Sequence, residues 1–270
     1  MFTFNFDARR RLGILAFTGA VALAPACAPA VSTQQEVDMG AQYANELSRQ
    51  LPLIQDAAVV RYINQLGNSM AQRADPRGIQ YSFYVVDAPE VNAFAVPGGH
   101  IYVNRGLIDR ASTLSEFAGV LAHEIGHVVH RHGITQLQRA QNAETGLAVI
   151  YGVLLGRNPS GVEQVGIQGI GTAVFAGYGR DAERESDASA IGYLIASGIH
   201  PQGLVTMFET LMAERQSNPS GVAQWFSTHP TTQERIDNTR AAILSIPASS
   251  LENLTTNNQA YNDFRSRVRL

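Results

Sequence analysis

Apolar residues recur at helical spacing in two stretches near the start of the chain. Residues 36 to 50 and residues 56 to 74 place apolar side chains three or four positions apart, which predicts two amphipathic helices. Residues 79 to 86 alternate between apolar and polar positions, and this predicts a strand. Two extended runs follow, residues 91 to 96 and residues 100 to 104, so the sequence predicts a small sheet that contains a hairpin.

The pattern returns to helical spacing after this sheet. Residues 115 to 131 form a predicted helix, and Thr113 with Glu116 fits a capping box at its start. Gly133 is expected to end this helix. The polar residues in its second half are flanked by apolar ones, so we expect the helix to be buried.

Three more helices are predicted in the second half of the chain. They cover residues 180 to 197, where Gly198 provides the stop, residues 201 to 216 and residues 231 to 245. The stretch from 146 to 179 is rich in glycine and apolar residues, and it is interrupted too often for a membrane span. Two interpretations stay open: two buried helices, or a helix and a mobile loop, on the one hand, and an apolar flap that touches a membrane or a substrate on the other.

These elements predict an α+β fold that is mostly helical, with the 115–131 helix beside a small β-sheet. The expected organisation is a signal in residues 1–27, one domain in residues 28–250 and a C-terminal tail in residues 251–270. The length of 270 residues is enough for one domain with a substantial core.

The N-terminus has the pattern of an export signal. Arg9 to Arg11 precede an apolar run from Leu12 to Ala24, and Cys27 follows among small residues. This order is similar to a bacterial lipoprotein signal, in which the cysteine is lipidated. Cleavage without lipidation, an uncleaved anchor and twin-arginine export remain alternatives.

Composition narrows the possible chemistry. All 20 basic residues are arginine, so a lysine nucleophile, a Schiff base and a phosphate-loop lysine are excluded. The net charge is −3, and no basic stretch follows the first dozen residues. We therefore expect neither a nucleic acid nor a nucleotide as partner. A single cysteine means that any metal would be held by histidines and carboxylates.

The strongest chemical signal is the string from His123 to His127, His-Glu-Ile-Gly-His. Positions four apart share one face of a helix, so both imidazoles can reach one metal ion. Glu124 lies beside them, where its carboxylate can accept a proton from a water on the metal.

A third ligand is needed, and acids on a second helix are candidates. Glu183 and Asp187 are four residues apart on the 180–197 helix, so they share a face. One of them can bind the metal while the other orients a ligand imidazole.

These strings together resemble the CAAX-prenyl proteases and the bacterial HtpX, BepA and LoiP zinc metallopeptidases. The resemblance implies a zincin-like active-site helix, one Zn²⁺ per chain, Glu183 as the third ligand and Asp187 as the acid behind a ligand. Ser186 departs from the alanine that is common in this family, a small change that leaves ligation intact. No repeat tail and no set of transmembrane helices is found, which is most similar to the periplasmic LoiP-like lipoproteins.

The resemblance extends to two further segments. Residues 91 to 99 look like the family's substrate-facing strand, and this implies substrate contacts at Asn92, Ala93 and Ala95. His229 and Arg235 match a downstream histidine and arginine and are expected to be catalytic. His229 would stabilise the oxyanion or bind the zinc in a latent form, and Arg235 would assist the same charge.

Two histidines beyond the motif, His130 and His132, are expected to cap the helix or to lie on the surface.

The function expected from these observations is a zinc-dependent endopeptidase that cleaves unfolded or misassembled cell-envelope proteins, with Glu124 as the base. Its expected location is the periplasm, attached to the outer membrane through Cys27. The alternative is a latent or chaperone-like envelope lipoprotein whose zinc site is closed by His229.

Overall fold

The computed structural model describes residues 31–142 and 177–269. In this part of the chain the helices are α1 (Thr33–Gln50), α2 (Ala57–Ala74), α3 (Arg105–Arg110), α4 (Leu114–Val129), α5 (His132–Asn142), α6 (Arg180–Ala196), α7 (Gln202–Ser217), α8 (Pro219–Thr228), α9 (Gln233–Leu244) and α10 (Gln259–Val268). The strands are β1 (Ser82–Val86), β2 (Ala93–Val96) and β3 (His100–Asn104). The predicted fold class, α+β and mostly helical with a small sheet, is confirmed.

The sheet has the strand order β1-β3-β2. Strand β3 pairs in parallel with β1, with Ser82 opposite His100, and antiparallel with β2, with Ala93 opposite Val103. The predicted hairpin therefore forms between β2 and β3. Gly98 in its turn has φ 81°, and a Cβ there would lie 3.0 Å from the Cα of Val37, so glycine fits both the backbone and the space.

Alternating side chains divide the sheet between two apolar layers, as period-two strands require. One face, which includes Phe83, Ile101 and Ala95, packs into the main core. The other face packs against α1, and on it the ring of Tyr102 stacks on Phe94 at 5.0 Å between centroids. Both faces are covered, so the sheet is a fixed platform beside α4.

Helix α4 is the centre of the molecule. It packs against α6 and α7 and also contacts α2 and β2. Fourteen of its sixteen residues are buried, as expected for a helix that is apolar nearly all round. The predicted capping box is confirmed, because Thr113 accepts from the backbone of Glu116 and Glu116 accepts from the backbone of Thr113.

Two glycines let other helices approach α4 closely. A Cβ at Gly119 would lie 2.9 Å from the Cα of Leu204 in α7. A Cβ at Gly126, inside the His-Glu-Ile-Gly-His string, would lie 3.1 Å from the Cα of Ser186 in α6. The missing side chains set the distance between the helices.

The stretch assigned above to a C-terminal tail contains α10, and this helix joins the main core. Tyr261, Phe264 and Val268 are buried there. The Tyr261 hydroxyl donates to the carbonyl of Ala111 over 2.7 Å, just before α4 begins. The backbone N–H of Ser115 donates to the carbonyl of Thr256 over 2.9 Å, so this stretch also satisfies the start of α4.

The end of α4 differs from the prediction. The helix ends at Val129, and Gly133 lies inside α5 rather than at a stop. The left-handed position that usually takes glycine is occupied by Arg131, with φ 57°. Gly133 instead allows a close approach, because a Cβ there would lie 3.2 Å from Cγ of Pro97.

A buried ionic network holds this end of α4. Glu36 of α1 is fully buried and lies 3.2 Å from Arg77 and 2.7 Å from Arg131. Arg77 also donates to the carbonyl of Val128 over 2.9 Å and pairs with Asp75. The network joins α1, the loop after α2 and the C-terminal end of α4.

Some sequence predictions lie outside the described residues. These are the signal in residues 1–27 with Cys27, and nearly all of the apolar stretch from 146 to 179. None of the described helices combines the length and hydrophobicity needed to cross a lipid bilayer.

Replacing Gly119 with alanine should lower the free energy of unfolding by about 1–3 kcal/mol, since the new methyl group meets backbone atoms of α7 that cannot move independently. Gly192 in α6 is the matched control, because a Cβ there meets nothing within 4 Å. Gly192→Ala should raise stability by about 0.5–1 kcal/mol. Urea unfolding of both variants tests the pair, and equal effects would contradict the close-packing argument.

Candidate metal centre and active site

Helix α4 presents two histidines to one buried point. His123 and His127 are one turn apart, and their Nε2 atoms lie 3.0 Å from each other. Both side chains are buried in the core, with relative exposure of 0% and 1%. Imidazoles so deep in a protein need polar partners, and each here has its second nitrogen engaged elsewhere.

Helix α6 brings a carboxylate to the same point. The Oε1 atom of Glu183 lies 3.4 Å from His127 Nε2, and its Oε2 atom lies 3.5 Å from His123 Nε2. Glu183 is placed in the first turn of α6, where the helix dipole favours a negative charge. Gly126 makes this approach possible, since it lets α6 lie directly against α4.

His229, the residue after α8, completes the group. Its Nδ1 atom lies 3.3 Å from His123 Nε2 and 3.2 Å from Glu183 Oε1. Within the described residues, His123, His127, Glu183 and His229 form the group that could hold a metal ion, with one donor atom from each within 4.8 Å of the others.

The four donors fit a zinc ion. Ligand atoms that bind zinc tetrahedrally at about 2.0–2.1 Å lie about 3.3 Å from each other. The separations among the donors given above are close to this value. Imidazole nitrogens and a carboxylate are the donor types that zinc prefers in the absence of cysteine, so the chemistry of the group fits this ion.

Glu124 is also buried, beside this group but outside it. Neither of its carboxylate oxygens makes a hydrogen bond with any described residue. The Nε2 atom of His229 lies 3.4 Å from Glu124 Oε1. A buried carboxylate without a hydrogen-bond partner among the described residues is a candidate for acid–base chemistry.

Arg235 of α9 supports the site from behind. Its Nε and Nη2 atoms each donate to Asp187 over 2.7 Å, and its Nη1 atom lies 2.5 Å from Glu183 Oε2. Asp187 Oδ1 in turn lies 2.9 Å from His123 Nδ1. The guanidinium therefore contacts both acids, and its Nη1 atom also donates to the carbonyl of Pro230 over 3.1 Å.

The three buried carboxyl groups of the site differ in the direction in which their surroundings shift the pKa. Burial raises the pKa of Glu124 above its ordinary value. Burial acts in the same direction on Glu183, but the charge of His229 and hydrogen bonds from His123 and His127 hold its pKa well below the ordinary value. Asp187 also has a lowered pKa, because its hydrogen bonds with Arg235 outweigh burial. Glu183 is therefore an anion suited to a metal, whereas Glu124 keeps an affinity for a proton.

The predicted substrate segment lies at the sheet edge. Strand β2 pairs with β3 on one side, and no other described strand pairs with it. Because the N–H of Asn104 donates to the carbonyl of Asn92, the alternation of an antiparallel ladder turns the backbone groups of Ala93 and Ala95 away from β3. The Nδ2 atom of Asn92 is buried and makes no hydrogen bond with a described residue.

Two aromatic groups in the site were not found by sequence reasoning. The ring of Tyr178 stacks on His127 with 3.9 Å between centroids, and its backbone N–H donates to the carbonyl of Thr228. Tyr178 falls at the end of the apolar stretch, where no motif marks it. The sequence predicts that His132 caps the helix or lies on the surface, but it is buried and its Nδ1 atom lies 2.9 Å from His127 Nδ1. A separation of five residues gives no shared helix face, so only the turn at Arg131 brings it back.

The sequence matches Peptidase family M48 over residues 57–243, more than half of the chain. The chain belongs to peptidase family M48. This M48 region runs from α2 to α9, so it contains α4, α6, the sheet and His229. The resemblance drawn from the motifs is thereby confirmed.

Several M48 relatives are similar in sequence. The beta-barrel assembly-enhancing protease of Yersinia pestis is 32% identical over 218 residues, which cover 78% of this chain and 44% of that protein. Metalloprotease YcaL of Escherichia coli (strain K12) is 30% identical over 233 residues, 84% of each chain. Metalloprotease LoiP of the same organism is 31% identical over 181 residues, 66% of this chain and 68% of that protein.

The M48 chain spans less than half the length of the beta-barrel assembly-enhancing proteases that it matches. Family membership and the metalloprotease relatives support a metalloendopeptidase, and the buried histidine and glutamate group is consistent with metal dependence.

Proposed function

We propose that this M48 protein is a zinc-dependent endopeptidase that cleaves unfolded or misassembled proteins of the cell envelope. The observation that carries the proposal is the buried group of His123, His127 and Glu183 beside a carboxylate, Glu124, whose oxygens make no hydrogen bond with any described residue. Metal-assisted peptide hydrolysis requires side chains that hold the metal ion and, beside them, a base that can take a proton from water.

In this proposal His123, His127 and Glu183 hold Zn²⁺. When bound, the ion supplies Lewis acidity, which acidifies a water molecule and polarises the scissile carbonyl. Glu124 removes the proton from the attacking water and passes it to the leaving amine, and its raised pKa makes it able to hold that proton in between. Asp187 holds the ring of His123 in place through its Nδ1 atom, and Arg235 keeps Glu183 ionised.

The edge of β2 supports an extended substrate. The outward backbone groups of Ala93 and Ala95 can pair with a peptide that adds to the sheet. Ala95 also lines a narrow pocket together with His127 and Tyr178, so a strand bound there would pass the metal group. The side-chain N–H₂ of Asn92 is available for a substrate carbonyl. Main-chain recognition of this kind needs an unfolded segment, which supports unfolded proteins as the substrate class.

Replacing Glu124 with glutamine tests the proposed mechanism. Glutamine keeps the volume but cannot accept the proton, so hydrolysis of unfolded casein should fall by about 100-fold or more while zinc content stays the same. The parent and the variant are compared at equal measured zinc content. A zinc-loaded Glu124→Gln protein with full activity would contradict the mechanism.

The envelope location rests on two further observations. A relative of this chain is named a beta-barrel assembly-enhancing protease, and the first 27 residues have the pattern of a lipoprotein signal. We therefore place the protein in the periplasm, attached to the outer membrane by a lipid on Cys27. The lipid would hold the protein at the membrane surface, where it would bind its substrates.

Labelling cells with palmitate tests the anchor. The parent chain should incorporate the label and sediment with membranes, and Cys27→Ala should do neither, since the thiol is the acceptor. An unlabelled parent in the soluble fraction would contradict lipidation and favour simple cleavage of the signal.

The position of His229 favours a second candidate, a latent or chaperone-like protein. With His229 Nδ1 among the donors, four protein side chains would hold the ion and would leave no position for the water that hydrolysis needs. If the resting site is closed in this way, His229→Ala should raise casein hydrolysis several-fold at unchanged zinc content.

A lower rate in His229→Ala would contradict the latent site and support a role for His229 in stabilising the oxyanion. An unchanged rate near zero, together with binding of unfolded casein by Glu124→Gln, would favour the chaperone-like protein.

A further inference from the structure

We call His123, His127, Glu183 and His229 the metal group. His127 also makes a polar contact through its other ring nitrogen, Nδ1, which faces away from these residues. His127 Nδ1 lies 2.9 Å from His132 Nδ1, and the other nitrogen of His132, Nε2, lies 3.1 Å from Glu185 Oε2. His132 is nearly buried, whereas about half of the Glu185 side chain is exposed. The three side chains form a continuous chain of polar contacts from the metal group to the surface.

Metal binding would fix which atom donates and which accepts in each of these hydrogen bonds. If Nε2 of His127 binds the ion, its Nδ1 carries the proton and must donate. His132 Nδ1 then accepts, so the proton of His132 is on Nε2, where it donates to the carboxylate of Glu185. Every donor in this arrangement faces an acceptor at hydrogen-bonding distance, and no other tautomer of a neutral His132 achieves that.

The backbone turn after α4 is what makes the contact. His130 ends α4, Arg131 takes the left-handed conformation, and His132 begins α5. Arg131 is held there by Glu36 over 2.7 Å and by the carbonyl of Val31 over 2.6 Å. A non-glycine residue in this conformation costs free energy, and the contacts of its guanidinium offset that cost.

The two histidines of α4 are therefore supported differently. His123 has a carboxylate directly behind it, because Asp187 lies 2.9 Å from its Nδ1. Among the described residues, the contact of His127 Nδ1 is with the imidazole of His132 and not with a carboxylate. We propose that His132, supported by Glu185, is a positioning residue that fixes the tautomer and the ring orientation of His127 for metal binding. This inference rests on the proposed function, since it takes His127 as a ligand.

His130 is a matched control in the same cluster. Its Nδ1 lies 3.2 Å from Glu185 Oε1 and its Nε2 lies 2.7 Å from Ser189 Oγ, but it makes no contact with the metal group. A general loss of order in the turn would follow from changing either histidine, whereas loss of support for His127 follows only from changing His132.

The test compares His132→Leu, His132→Asn and His130→Leu in the full-length protein. Asparagine offers an oxygen that can accept from His127 and an amide that can donate to Glu185, whereas leucine offers neither. Zinc affinity is measured by competition with a chromophoric chelator, and unfolding of the chelator-treated proteins is measured by urea titration. We expect His132→Leu to bind zinc about 10- to 100-fold more weakly. His132→Asn and His130→Leu should stay within about threefold of the parent.

Kinetics provide a second measurement. With casein at saturating zinc, His132→Leu should lower kcat and leave KM nearly unchanged, because His132 does not line the pocket beside Ala95. Parent-like zinc affinity in His132→Leu, or equal losses in His132→Leu and His132→Asn at equal stability, would overturn the inference. Equal losses in His130→Leu would do the same. A parent chain that binds no zinc would contradict the proposed function itself, so the two failures are distinguishable.

Discussion

The buried contact of Arg235 with two carboxylates is the interaction on which the site depends. Glu183 and Asp187 lie in the core, where an isolated negative charge would be neutralised by a proton. Arg235 supplies a fixed positive charge and contacts both of them. Because Glu183 faces the imidazoles of α4 and Asp187 lies behind His123, this one side chain aligns α4, α6 and α9. Removing one partner of such a group leaves a buried charge unpaired, which costs about 3–5 kcal/mol.

Residues with a strong periodic pattern were predictable, since the pattern and the tertiary contacts agree. The helix of the His-Glu-Ile-Gly-His string begins where its capping box predicts, and the hairpin turns at Gly98 and Gly99. Spacing of four residues also placed Glu183 and Asp187 on one face, and in the structure both reach the histidines of α4. Local spacing determines these geometries, so no knowledge of the fold was needed.

The rest depended on contacts between segments far apart in the sequence. Glycine is the residue type that most often ends a helix, so the sequence points to Gly133. In the structure, the ionic network around Glu36 allows Arg131 to take the left-handed conformation instead. His132 enters the site only through that turn. The sequence pattern assigns residues 251–270 to a tail, and the apolar face of α10 within them is recognisable only from its packing into the main core. Long-range packing decided each of these cases.

The hydrogen bonds between α4 and the residues before and within α10 have a consequence for the order of folding. Leu114 donates to Asn257 across 143 residues of sequence, and Tyr261 donates to Ala111 across 150. Closing loops of this length costs chain entropy before any contact repays it. In a chain that emerges from its N-terminus, the first turn of α4 lacks these partners until residue 261 has emerged. The helix that carries His123 and His127 therefore becomes fully anchored late, and a partly emerged chain does not yet hold these two histidines in their final positions.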